Sequence, residues 1–245
     1  MRTEILGVGF DNLTKAEALA QGEALLNAHS GGFVVTPNPE IVMLCRENAA
    51  LKEAVDKASL VLADGIGIIY GAKILGTPMK GRNPGIDFGT ALMKKMGEKG
   101  QSVFLFGAKP GVAEQAAEKI LELCPGIVIA GTNDGYFQDD APIIAKINSA
   151  KPDLLLVCLG APKQELWMRT NQDKLDVGLM IGLGGSLDVF AGVVKRAPEI
   201  WQKLGLEWLY RLLKEPKRFF RMMKLPQFLL VVIGQRLRGK KGQNA

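Results

Sequence analysis

Asp64 closes the run SLVLADG and is followed by flexible Gly65, so a carboxylate stands directly after a stretch of apolar residues. A carboxyl at the lip of an apolar pocket can take a proton from an attacking hydroxyl, because burial raises its pKa toward a useful value. Asp64 is therefore the first candidate for a general base; its other role would be to start a turn. A second apolar run ends in VVTPNPE and offers Thr36, Asn38 and Glu40. Pro39 suits the first turn of a helix and Asn38 its cap. A helix N-terminus above a sheet also presents free N–H groups to an anion such as a diphosphate. Thr36 is read as a site residue on that ground, whereas capping alone would account for Asn38.

Three further stretches carry polar groups in similar positions. KGRNPGID brings Arg82 and Asp87 onto a Gly/Pro-rich loop, as a sugar clamp or equally as a surface ion pair. LGAPKQE sets Lys163, Gln164 and Glu165 in the first turn of a helix opened by Pro162. Gln164, with a donor and an acceptor, suits a sugar or phosphate contact, and Glu165 suits the helix dipole. In GGSLDVFAG, Asp188 could hold a ribose or base, or could cap a helix. The chain has no G-x-G-x-x-G, no Walker A motif and no D-x-D, D-x-E or E-x-D triplet, so neither a dinucleotide nor a carboxylate-held metal is expected. His29 is expected near a helix C-terminus. Cys45, Cys124 and Cys158 read as core residues, poor nucleophiles without a histidine beside them.

The elements that must position these residues follow from patterning. Apolar runs at 5–10, 33–38, 59–65, 102–108, 127–132, 153–160 and 177–185 read as strands, most of them buried on both faces. Helical patterns lie between them, at Lys15–His29, Pro84–Lys99, Val112–Leu123 and Pro162–Gln172. The alternation predicts an α/β fold, a Rossmann-like, mostly parallel sheet flanked by helices, with ligands outside the carboxyl ends of the strands. The 245 residues include 31 Lys and Arg against 25 Asp and Glu, a net charge of +6. Residues 195–245 alone carry +10 and residues 1–194 carry −4. A boundary is placed near 195, separating a 1–195 core from a basic helical appendage over 196–245. Arg211, Lys214, Arg218 and Arg221 would form one helical stripe if the helix continued past Pro216. Such a segment suits an anionic partner: a membrane surface, a nucleic acid or a phosphorylated ligand. With no apolar signal core at the N-terminus and no run long enough to span a bilayer, the chain is expected to be neither secreted nor transmembrane. Scattered cysteines suggest a reducing, cytoplasmic compartment.

Taken together, TPNPE (36–40), LADGIG (62–67), GRNPGID (81–87), FLFGAKPG (104–111), KPDLLLVCLGAPKQE (151–165), GGSLDVFAG (184–192) and RAPEIWQKLGLEWLYRLLKEPKR (196–218) resemble the WecG/TagA/CpsF glycosyltransferase family over nearly the whole chain. The resemblance implies an inverting, metal-independent transferase without a cofactor. It would move a sugar from a UDP donor to an undecaprenyl-diphosphate-linked N-acetylglucosamine on the cytoplasmic membrane face. TagA-type members use UDP-N-acetylmannosamine and build the β-1,4 disaccharide of the teichoic acid linkage unit. It further implies that Asp64 deprotonates the acceptor and Thr36 orients a substrate, and that Gln164 and Asp188 contact the donor nucleotide. The appendage would dock on the membrane and close the site, with Arg211, Arg218 and Arg221 stabilising the departing UDP, and the protein would form a homo-oligomer. Another donor, UDP-N-acetylmannosaminuronic acid or UDP-glucose, is the nearest alternative. A dinucleotide oxidoreductase and a non-catalytic binder of anionic surfaces are the more distant ones; nucleic acid is not expected as a partner.

Overall fold

The computed structural model describes residues 2–214 and 219–242, without the side chains of Lys203, Arg211, Phe220, Arg221 and 239–242. An antiparallel hairpin, β1 (Arg2–Ile5) and β2 (Val8–Asp11), opens the chain. There follow α1 (Lys15–Ala28), β3 (Gly32–Val35), α2 (Pro39–Cys45), α3 (Ala49–Lys57), β4 (Leu60–Val61), α4 (Ile66–Leu75) and α5 (Gly85–Gly97). The middle of the chain runs β5 (Ser102–Gly107), α6 (Val112–Leu123), β6 (Val128–Asn133), α7 (Ala141–Ala150), β7 (Leu154–Cys158), α8 (Lys163–Asn171) and β8 (Leu179–Gly182). After the last strand come α9 (Ser186–Phe190), α10 (Glu199–Lys203), α11 (Glu207–Lys214), α12 (Phe219–Met222) and α13 (Lys224–Gly242).

Six strands form one all-parallel sheet in the order β4-β3-β8-β7-β5-β6, as the alternation predicts. The run at 5–10 is a correction: it is two short strands joined at Leu6 and Gly7, both with positive φ. Its turn carries none of the Asn-Gly or Asp-Gly signal that marks most tight hairpins. Strands buried on both faces need two cores, and the side chains divide accordingly. Phe33, Val35, Phe104, Phe106, Leu155 and Val157 pack with α2, α3, α4, α7, α8 and α13, while Val34, Leu60, Val103, Leu105, Leu156 and Ile181 pack with α1, α5, α6 and α9.

The segment after 195 is joined closely to the first of these cores. Phe228 and Val232 of α13 are fully buried within it. Their seat is made by glycines of α4: a Cβ at Gly71 would lie 2.8 Å from Phe228 Cζ, and one at Gly67 only 2.6 Å from Leu225 Cδ1. Gly67 and Gly71 are one turn apart and present a side-chain-free strip to α13. Among the described residues, no helix is long and apolar enough to cross a membrane.

Candidate active site

The parallel pairing of β3 with β4 continues beyond both strands and fixes the loops that carry the candidate residues. Leu62 N–H donates to Val35 O at 2.9 Å and Asp64 N–H to Pro37 O at 3.2 Å. Thr36, Asn38 and Asp64 thereby come to one end of the sheet, at the carboxyl edge where such folds bind ligands. The 81–84 loop is tied to the same place, with Asn83 N–H donating to Ala63 O at 2.8 Å and its Nδ2 to Leu13 O at 3.0 Å. Arg82 is thus held next to Asp64.

A cavity opens here between the α2 and α4 N-termini, the 81–86 loop and the chain after 195. Its walls include Asn38, Glu40, Asp64, Arg82, Arg196 and Trp208. The carboxylate of Asp64 accepts from the N–H groups of Gly65 and Gly85. Gly85 is the first residue of α5, a helix without a side-chain cap, so Asp64 fills that place. Its pKa is nevertheless raised: burial is the largest cause, the charge of Glu207 adds to it, and Arg82 with the two N–H groups opposes it. Desolvation outweighing nearby positive charge is the balance expected of a carboxyl tuned toward accepting a proton.

The other expected residues fall around this centre at different distances. Asn38 lines the cavity and also caps α2, its Oδ1 accepting from Ile41 N–H at 3.0 Å. Thr36 is 9% exposed and sits behind the wall. Its Oγ1 is 2.8 Å from where a Cβ on residue 85 would be, which requires glycine at the start of α5. Asp87 pairs with Arg196, Oδ1 to Nη1 at 2.6 Å, and does not line the cavity. Gln164 and Asp188 lie farther along the carboxyl edge, after β7 and β8, and are not brought to the cavity wall. Gln164 is buried, its Oε1 accepting from Gly184 N–H at 2.8 Å and its Nε2 donating to Glu165 Oε1 at 2.8 Å. It therefore fixes the glycine-rich loop after β8. Arg211 and Arg221 stand on separate helices, α11 and α12, with side chains outside the described residues, as is the whole of Arg218.

Arg196 and Trp208 were not singled out by sequence reasoning, although both lie in the motif at 196–218. Glu40 also faces the cavity. The cysteines are buried and free, as their apolar surroundings predict, and burial pushes the thiols of Cys45 and Cys158 up to about 12. His29 ends α1 in the left-handed conformation. Among the described residues, no three His, Cys, Asp or Glu side chains gather as metal ligands would.

Comparison with known proteins places this geometry in a family. The chain is 38% identical over 208 residues to the N-acetylglucosaminyldiphosphoundecaprenol N-acetyl-beta-D-mannosaminyltransferase of Bacillus spizizenii strain W23, covering 85% of this chain and 81% of that one. It is 36% identical over 245 residues to the protein of the same name from Staphylococcus aureus strain MW2, covering 99% and 96%. The model of the glycosyl transferase WecG/TagA/CpsF family matches residues 3–242, and the chain belongs to that family.

Proposed function

We propose that the protein transfers N-acetylmannosamine from UDP-N-acetylmannosamine to the 4-hydroxyl of N-acetylglucosaminyl-diphospho-undecaprenol, with inversion to a β-1,4 linkage. This is the step that forms the linkage disaccharide of wall teichoic acid. The observation that carries the reading is Asp64: a desolvated carboxylate, held by two N–H groups beside Arg82, in a cavity at the carboxyl edge of the sheet. The names and coverage of the relatives support the substrate pair.

In this reading Asp64 takes the proton of the acceptor hydroxyl as its oxygen attacks the anomeric carbon, and the bond from that carbon to the UDP oxygen breaks on the opposite side. Charge then gathers on the departing diphosphate, where guanidinium groups stabilise it. Thr36 supports the geometry from behind, through Gly85 at the start of α5. Gln164 and Asp188 serve the donor nucleotide at the adjoining strand ends, with Gln164 setting the backbone that the nucleotide meets. Residues 196–245 act as a basic appendage to the 1–195 core, resting on the inner face of the cell membrane. Arg211, Arg218 and Arg221 are its diphosphate contacts, and the protein self-associates.

The test is UDP release from UDP-N-acetylmannosamine with a short-chain lipid-diphosphate N-acetylglucosamine acceptor, in EDTA. The native protein turns over and Asp64→Ala does not, while the variant retains donor binding. Full activity in Asp64→Ala would remove the base assignment. Preferential turnover of UDP-glucose or UDP-N-acetylmannosaminuronic acid would move the donor assignment and leave the reaction class.

A further inference from the structure

Arg196 has no part in the roles assigned above, yet its side chain is built into the cavity wall. Nη1 is engaged by Asp87 at 2.6 Å. Nε lies 3.6 Å from Glu207 Oε1, an ion pair too long to be a hydrogen bond. Nε and Nη2 are both buried, and neither has a hydrogen-bond partner. These two nitrogens share one edge of the planar guanidinium, the edge that meets two oxygens of a carboxylate or phosphate in parallel bonds.

Two desolvated, charged donors on a single edge are costly to leave unmatched. Asp87 fixes the plane of the group from the other side, so the unpaired edge, covered by Glu207, is held in place. Arg82 supplies a second guanidinium on the same cavity, its Nη2 bonded only weakly to Gln202 O at 3.4 Å. Glu40, Asp64 and Glu207 line the remaining walls and repel any anion, so a ligand must engage both guanidiniums to offset them. An anion with several charges, spread over adjacent groups, matches two guanidiniums better.

We propose that the Nε–Nη2 edge of Arg196, together with Arg82, is the receptor for a diphosphate beside Asp64. The phosphate oxygens displace Glu207 from its place near Nε and take the two unpaired donors. The source of the diphosphate, the lipid-linked acceptor or the departing nucleotide, rests on the transferase reading above; the receptor itself does not.

Isothermal titration of inorganic diphosphate into the full-length protein tests the receptor without donor, acceptor or base. Relative to native protein, Arg196→Met and Arg196→Lys each bind about 10- to 100-fold more weakly, the loss expected for charged hydrogen bonds. Lysine keeps the charge and loses the two-donor edge. Thermal melting shows whether each variant folds, and Lys119→Ala, at an exposed ion pair on α6, serves as the distant control. No binding to native protein, or native affinity in either variant, would overturn the proposal. In turnover, Arg196→Lys raises KM for the lipid-linked acceptor alone if the diphosphate is the acceptor's, and for the nucleotide sugar alone if it is the donor's. Absence of turnover with Arg196-dependent diphosphate binding intact would refute the transferase reading and leave the receptor standing.

Discussion

Burial around Asp64 favours its protonated form, whereas a base works only when deprotonated. Turnover governed by Asp64 therefore rises with pH through its raised pKa and levels off above it, as a profile of kcat/KM will show. A profile already flat at the ordinary aspartate pKa would take Asp64 out of the rate-limiting proton transfer. The same shift carries a stability consequence. With a folded pKa above the unfolded one, the folded state binds the proton more tightly, so stability present below the unfolded value is lost as pH rises through the folded value. Asp64→Asn should then melt at a higher temperature than native protein at neutral pH while losing about 10²- to 10⁴-fold in kcat. Glu165, 1% exposed with Oε2 unpartnered and its pKa raised chiefly by burial, obeys the same sign. Glu165→Gln should raise neutral-pH stability and keep activity, because an amide oxygen still accepts from Gln164. Glu165→Leu should cost about 1–3 kcal/mol in denaturant unfolding by stranding the Gln164 amide. Asp64, Asn38 and Arg82 were legible in the sequence because each follows a strand end or sits on a loop tied to one. Arg196 and Trp208 were not, since nothing local shows that the chain returns to the sheet after 195.

The helices divide in the same way. Strand and helix alternation was readable because both faces of the parallel sheet are covered, leaving long apolar runs that periodicity detects. The hairpin of β1 and β2 was hidden by a turn of Leu6 and Gly7, and the docking of α13 by glycines whose value lies in what they lack. The sequence shows LADGIG only as a strand end with Asp64 and a flexible glycine and places no helix there; the packed structure shows α4, with Gly67 and Gly71 as the bed for Leu225 and Phe228. Gly71→Val places methyl groups where the Phe228 ring lies, and overpacking of this kind costs about 1–3 kcal/mol. The loss should be local. Hydrogen exchange should accelerate along α13 and α4 far more than in β5 or β7, and uniform acceleration would mean that α13 is not a separately yielding element.

At the scale of the molecule, the proposed membrane contact and the packing of α13 on the core draw on the same segment. Residues 195–245 carry +10, so binding to vesicles rich in anionic lipid should weaken steadily with added salt, as sedimentation measures; salt-independent binding would point to apolar insertion alone. Yet Phe228 and Val232 belong to the protein's own core and cannot also enter a bilayer while α13 is seated. In the proposed membrane-bound state the apolar contact is therefore drawn from exposed side chains such as Leu213, Phe219 and Leu230. That seating has a further bearing on how the chain is born. Every strand of the sheet and every helix that α13 packs against is synthesised before Phe228, so on the ribosome the glycine strip of α4 waits uncovered for a helix still to come. Nascent chains stalled before Phe228 should recruit apolar-surface chaperones and give them up once it emerges. The cavity, walled on one side by Trp208, Met222 and Leu225, is completed only in that same late interval.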